Sequence, residues 1–384
     1  MDAAKSGEFR LILGFFFFVY IQKKGEGNLN FYQELQLNQA GSKNLIRNSK
    51  SPKEKIYHTI VFLIKIAVTV GFCFFFVTFF SMIFGNENSV AGVAILLSLL
   101  AFRQVNLGYD VGQSSFVMAG MFVILIFGPH LANMFGPQIG FLINFSCMML
   151  MTIFGCYEIR FFNHATLLLS YILLYGNDVT GELYTRRMAG LAIGGIWIVL
   201  CLYRNHKHIE HKDSLRDVMD AVSINASRTR WHIKVSLGIS QAMLIGELIG
   251  IPRVMWIGIA TMSVIHPSNE LRKKNHMFYR FAGNVFGCVL FLGLLAVLPK
   301  SMYGLIGVIG GVGVGFCASY KWQTVFNSFG ALGLAMAIFG LKTAIILRVL
   351  NNAIAVAFVF VYVPLFDKIL ELATQTKVSK ELLS

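Results

Sequence analysis

Between residues 115 and 157 the chain contains no Asp, Glu, Lys or Arg. A run of that length holds two helices of roughly 20 residues, each able to cross about 30 Å of hydrocarbon, with the turn-rich segment FGPHLANMFGP between them. Further charge-free runs lie at 66–85, 161–177, 188–203, 281–299, 301–320, 322–341 and 349–366. Several are too closely spaced for a soluble domain to fit between them, and they show little of the polar-face alternation that a soluble helical core requires. Composition agrees: 56% of the residues are hydrophobic, 14% are charged and 35 are Phe. The expected fold class is all-α, a polytopic membrane helical bundle.

Counting spans gives 57–84, 90–102, 115–135, 138–157, 161–175 and 187–203, then a polar stretch, then 233–250, 254–266, 278–298, 303–319, 322–340 and 344–366. That is about twelve spans, six plus six. The second span of each half is short for a crossing, as a broken or tilted helix leading into a cavity would be. Matched spacings support a tandem six-span pseudo-two-fold repeat. Gly120 and Gly283 are 163 residues apart, Tyr157 and Tyr320 share that offset, and Arg187 matches Arg348 at an offset of 161. An even number of spans per half gives both copies one orientation.

The expected organisation is an N-terminal cytoplasmic or interfacial segment (1–56), a first membrane repeat (57–203), a cytoplasmic amphipathic linker (204–232), a second membrane repeat (233–370) and a cytoplasmic tail (371–384). In the linker, Leu215, Val218, Met219 and Val222 stand at helical spacing. The stretch FRLILGFFFFVYIQKK at 9–24 is too short to span comfortably and has no small-residue cleavage site after it, so it reads as a helix lying in the interface.

The formal net charge of +14 would suggest a nucleic-acid partner in a soluble protein. Here the basic residues collect in the first 56 residues, in the linker and in ELRKKN at 270–275, whereas the opposite loops hold only Arg186, Arg253, Lys300 and Lys342. That asymmetry places both termini in the cytoplasm of a multi-pass cell-membrane protein. No nucleic-acid partner is expected.

Arg280-x-x-Gly283-x-x-x-Gly287 recurs as Arg187-x-x-Gly190-x-x-x-Gly194, and in weaker form from Arg348 through Asn351 to Ala355. Small residues four apart let helix backbones approach closely in lipid, so Gly190, Gly194, Gly283 and Gly287 are expected to pack helices, as are Gly307, Gly311 and Gly315. The arginine of the motif either anchors the helix or contacts an anion. Polar residues inside apolar runs cost at least about 2.5 kcal/mol at mid-helix and so point to function. Glu247 is the one carboxylate well inside an expected span, which makes it the candidate to carry a coupling proton. Glu158 and Arg160 are close enough to pair at a helix end, and Lys321 occupies the position corresponding to Glu158 without an adjacent acid.

The chain resembles the fusaric acid resistance-like (FUSC) superfamily, of the aromatic acid exporter type and related to the aluminium-activated malate transporters. The resemblance is strongest from RTRWHIKVSLGISQAMLIGELIGIPRVMWIGIATMSVIHP through YRFAGNVFGCVLF. It rests on Arg230, Trp256, Thr261, Arg280, Gly283 and Gly287, with Asn284 where the family usually has Thr and Val117 where the first half would have an arginine. It implies outward transport of organic anions, and of aromatic carboxylates in particular, through a basic cavity between the two halves. Arg103, Arg160, Arg280, Lys321 and Arg348 would attract the carboxylate, and Trp256 would face the ring. The large cytoplasmic domain of the long exporters has only about thirty polar residues in its place.

HKHIEH at 206–211 lacks zinc-ligand spacing, GGVGVG at 310–315 lies inside an apolar span with no strand before it, and the six cysteines form no CxxC pair. No metal, cofactor or enzymatic constellation is expected. The expected partners are the lipid bilayer, a small organic anion and protons as coupling ion, with the oligomeric state left open. The rival readings are a passive anion channel and a non-transporting membrane scaffold or subunit.

Overall fold

The computed structural model describes residues 29–265 and 270–381. The expected interfacial helix at 9–24 lies outside the described residues. Among those residues the chain forms fifteen α-helices, three short 3-10 turns and no strand. The helices are α1 (Phe31–Leu35), α2 (Gln39–Arg47), α3 (Pro52–Phe84), α4 (Ser89–Phe102), α5 (Val111–Met134), α6 (Pro137–Gly155), α7 (Asn163–Tyr175), α8 (Gly181–His206), α9 (Leu215–Asp220), α10 (Ser227–Leu248), α11 (Met255–Val264), α12 (Glu270–Val297), α13 (Ile306–Phe316), α14 (Tyr320–Phe339) and α15 (Leu341–Glu381). Each of the twelve expected spans falls on one of them, which bears out the all-α polytopic class.

Seven helices are long and apolar enough to cross a membrane: α3, α5, α6, α8, α14, the 275–297 part of α12 and the 341–372 part of α15. Helix α10 has the length, at 22 residues, but opens on the basic run SRTRWHIK. The other four, α4, α7, α11 and α13, have 14, 13, 10 and 11 residues, so they rise only about 15–21 Å. In α4, α7 and α11 brevity goes with burial, and eight of the ten residues of α11 are buried. These three pack in series, α4 on α7 and α7 on α11, with the longer α5, α6, α8 and α10 against them. Greasy short helices are thereby covered by protein, not by lipid.

The chain divides into two compact units, with the division falling within α3 and within α15. Among the described residues, the first unit comprises 77–265 and 359–381, and the second comprises 29–76 and 270–358.

In the first unit successive loops gather alternately at two ends. At one end Asn106 hydrogen-bonds His211 at 2.9 Å, Asp110 N donates to Asp213 O at 2.9 Å, and Tyr157 OH donates to Asp213 Oδ2 at 3.1 Å. Arg228 closes this end, with its guanidinium 3.9 Å from the Tyr157 ring and Nη1 donating to the Tyr157 carbonyl at 3.1 Å. At the other end Asn88 Nδ2 donates to Leu183 O at 2.9 Å, Asn133 Nδ2 to Tyr175 O at 3.0 Å, and Arg253 Nη1 to Asn177 Oδ1 at 2.9 Å. The chain therefore threads up and down. The linker helix α9 starts on a capping box formed by Ser214 and Asp217. It buries only Val218; Met219 is exposed, and Val222 lies exposed beyond its end.

In the second unit α14 packs against both α12 and α13. A Cβ on Gly287 would lie 2.6 Å from the Val325 carbonyl oxygen, and one on Gly283 would meet Thr324 Oγ1. These two glycines let α12 lie directly on α14. Thr324 ties the same contact by donating to Tyr279 O or Lys321 O, at 3.1 and 2.7 Å. On α13 the close approach is at Gly310, 2.9 Å from Phe326 O, and at Gly313, under the Phe326 ring. Gly307 and Gly311 have room, with nearest contacts at 4.0 and 3.9 Å, while Gly315 approaches Ile66 to 3.0 Å.

Candidate anion site

The recurring arginine motif makes one local arrangement twice. On α8 Arg187 Nε donates to Asn88 Oδ1 at 2.9 Å, and Gly190 and Gly194 admit Phe80 and Ile95. On α12 Arg280 Nε donates to Asn352 Oδ1 of α15 at 3.0 Å, and Gly283 and Gly287 admit α14. In both places an arginine clamps the asparagine of a neighbouring segment while the glycines bring a neighbour close.

Charge separates the two. Arg187 has the Asp178 carboxylate at 4.0 Å. Arg280, only 5% exposed, has no carboxylate within ion-pair distance among the described residues, and its Nη2 has no hydrogen-bond partner among them. A second buried arginine, Arg348, 4% exposed, stands one turn before Asn352 on α15. Asn352 Nδ2 donates to the Arg348 carbonyl at 2.7 Å, so one asparagine links both residues. Asn284, Ser328 and Thr324 are buried on the adjoining faces of α12 and α14, with Asn284 Nδ2 at 3.4 Å from Ser328 Oγ. A buried cation without a counter-charge costs several kcal/mol, and a second cation beside it adds to the cost. An anion received between the two guanidinium groups would remove most of it.

Of the other residues named from sequence, Lys321 is exposed at the start of α14, its Nζ 5.7 Å from the Trp322 ring centroid. Arg103 caps the C-terminus of α4 in the first unit, where its carbonyl accepts from Asn205 Nδ2 at 3.3 Å. Trp256 is buried on α11, at the opposite end of that unit from Arg103. Arg160 has a side chain 86% exposed and paired with Glu158 at 2.8 Å in the turn before α7. Glu247, near the end of α10, accepts a hydrogen bond from Tyr175 OH. Asn352 was not singled out from sequence. Its place four residues after Arg348, on the same helix face, was the available signal.

Helices of this length, number and apolar surface define a multi-pass α-helical membrane protein. Residues 241–362, under half of the chain, match the family model described as fusaric acid resistance protein-like, in agreement with the resemblance read from the sequence. The matched stretch contains Glu247, Trp256, Arg280, Lys321, Arg348 and Asn352. No curated protein and no solved structure matches the chain.

Proposed function

We propose that this protein moves organic anions outward across the cell membrane, that aromatic carboxylates are the substrate class, and that Arg280 and Arg348 hold the carboxylate. The observation that carries this reading is the buried Arg280, which is joined through Asn352 to the backbone of a second buried arginine and has no acid within ion-pair distance among the described residues. Lys321 would draw the anion electrostatically from the surface of α14. The aromatic part of the assignment comes from the resemblance. Purified protein in liposomes preloaded with benzoate should exchange external labelled benzoate. Arg280→Ala should lower that exchange about tenfold or more, the loss of one charge-assisted contact to a buried anion. Arg280→Lys should restore part of it. An Arg280→Ala protein that folds and exchanges benzoate at the wild-type rate would return the arginine to a purely structural role.

Outward movement against a gradient needs a coupling ion, and Glu247 is the group we assign to the proton. Glu247→Gln keeps shape and hydrogen bonding but cannot titrate. It should retain exchange and lose accumulation driven by a pH difference. Accumulation by the mutant would remove Glu247 from coupling, and absence of accumulation in the unaltered protein would favour a passive channel.

We take the termini as cytoplasmic, because the linker end of the first unit carries Lys207, Lys212, Arg216, Arg228 and Arg230 whereas the other end carries Arg186, Arg187 and Arg253. Single-cysteine labelling at 208 and at 182 from the two sides tests this. We also take the halves as a tandem repeat with the substrate cavity between them. The repeat is supported by a long, a short and a long helix opening each half, with 33, 14 and 24 residues and then 22, 10 and 28. An experimental structure whose halves fail to superpose would remove it.

A further inference from the structure

At the end of the first unit opposite the linker, four separate segments bring ionisable groups together. Helix α5 supplies His130, the turn after α7 supplies Asp178, α8 supplies Tyr184 and Arg187, and the end of α10 supplies Glu247. His130 Nδ1 lies 2.9 Å from Asp178 Oδ2, and its ring stacks on Tyr184 with centroids 3.7 Å apart. The other Asp178 oxygen faces Arg187 Nη1 at 4.0 Å, and Arg187 is fixed by Asn88 Oδ1 and by the Glu87 carbonyl at 3.2 Å. Three residues before Asp178, Tyr175 donates its hydroxyl to Glu247 Oε1, and Asn133, three residues after His130 on α5, donates to the Tyr175 carbonyl at 3.0 Å, so the two pairs share one stretch of chain. His130 and Asp178 are partly open, at 17% and 18% exposure, whereas Tyr175 is 6% exposed.

The backbone supports this end at a cost. Arg253 has a positive φ of 61°, a conformation a side-chain-bearing residue adopts at about 1–2 kcal/mol. In that conformation its Nη1 reaches Asn177 Oδ1, next to Asp178. The charge count is balanced: Arg187 and Arg253 offset Asp178 and Glu247 when His130 is neutral. One added proton gives the set a net positive charge.

Toward this end of the unit the remaining titratable groups on the packed elements are few, those on the first turns of α7 and α10 and the last turns of α8 lying at the linker end. Helix α6 offers Cys147, α7 offers Tyr171, α8 carries the exposed Glu182–Arg186 pair, and the Glu87 side chain is exposed on its turn. Helix α11, MWIGIATMSV, contributes none.

We propose that His130, Asp178, Tyr175 and Glu247 form one coupled proton-binding site, in which the His130–Asp178 pair sets how readily Glu247 takes up its proton and Arg187 holds Asp178 in place. This rests on the reading of Glu247 as the coupling carboxyl and widens it from one residue to four. Groups that interact this closely titrate together, so removing one changes the proton affinity of the others. His130→Gln removes a group that becomes a cation, and Asp178→Asn removes an anion. Their effects on Glu247 therefore oppose each other.

The test is an infrared titration of the full chain in lipid nanodiscs, reading the carboxylic-acid band that disappears in Glu247→Gln. The expected result is a shift of its midpoint by about half a pH unit or more, roughly threefold in proton affinity, in opposite directions for His130→Gln and Asp178→Asn. In the unaltered protein the same band should titrate over a broader range than a single independent site. A one-site curve, a midpoint unmoved by either substitution, or no titrating Glu247 band overturns the proposal, and the curve of the unaltered protein decides even if a variant fails to fold. The readout needs no transport. Absence of benzoate exchange with a coupled band would sink the transport reading alone; exchange with an uncoupled band would sink this one.

Discussion

Arg280 Nε and Asn352 Oδ1 meet at 3.0 Å between α12 and α15, and the same asparagine donates to the Arg348 carbonyl. A neutral amide thus sits where a carboxylate would neutralise a buried guanidinium. Asn352→Asp, nearly identical in shape, would supply an internal anion. The variant trades the bond from Asn352 Nδ2 to the Arg348 carbonyl for a charge-assisted bond to Arg280 of about 1.5–3 kcal/mol, so the melting temperature should rise by less than that bond alone would give. It should lose benzoate exchange about tenfold or more, because the site is already filled. A more stable protein that still exchanges at the wild-type rate would place the substrate elsewhere.

The glycines divide by what lies above them. Gly287→Ala puts a methyl group 2.6 Å from the Val325 carbonyl oxygen, which cannot yield without moving α14. The expected destabilisation is about 1–3 kcal/mol. Gly311→Ala meets its nearest neighbour, Val70 Cγ1, at 3.9 Å, ordinary contact. That change should be neutral or stabilise by up to about 1 kcal/mol through lower unfolded-chain entropy. Thermal midpoints of the folded peak on size-exclusion chromatography distinguish the two, and equal losses would refute close packing as the role of Gly287.

The contrast also marks what could be read in advance. Spacing of four correctly named Gly283 and Gly287, whose neighbour is a backbone. The same spacing on α13 named Gly307 and Gly311, yet the face turned to α14 is that of Gly310 and Gly313. A run in which nearly every residue is apolar or small does not reveal which face meets protein, so periodicity carries little information there. Helix positions were legible because charge-free runs have few other homes, whereas the burial of α4, α7 and α11 depends on tertiary contacts between them. At the site, Arg280 and Arg348 were visible as charges in apolar sequence. Asn352 was hidden because one more amide beside Asn351 adds no charge, and the His130–Asp178 pair was hidden because its members are 48 residues apart.

Arg160 is expected to be dispensable. Its exposed guanidinium bonds Glu158 at 2.8 Å in the turn before α7, and exposed pairs contribute little. Arg160→Ala should leave benzoate exchange within about twofold of wild type. The hydrogen bond from Arg160 holds the Glu158 carboxyl below its ordinary value. A lowered native value means the pair contributes above the unfolded value and is lost as pH falls, below about pH 4. The difference in melting temperature between wild type and Arg160→Ala should therefore vanish in acid. A large exchange defect at neutral pH would bring Arg160 back to the substrate path.

The N-terminal helices of the second unit are held on α3 by two part-buried polar contacts, and these should govern their release. Glu34 of α1, 1% exposed, takes His58 Nδ1 at 2.8 Å, while Lys65 Nζ donates to Leu37 O at 3.1 Å and to Ser42 Oγ at 2.5 Å. Both α3 residues lie on one face, seven positions apart, so α1 and α2 lie along two turns of the long helix. Hydrogen bonds to charged groups contribute about 1.5–3 kcal/mol each, so Lys65→Met should raise the open population of α1–α2 about ten- to a hundredfold. Cleavage by trypsin at Lys43 or Arg47, within α2, tracks that population when closing is fast. The initial cleavage rate should rise by the same factor in Lys65→Met, and Glu34→Ala should raise it independently. The membrane helices should stay intact in both, since neither contact reaches beyond the first turns of α3. An unchanged rate in both variants would mean that apolar packing alone docks α1 and α2, and that Lys65 and Glu34 are buried there for another reason.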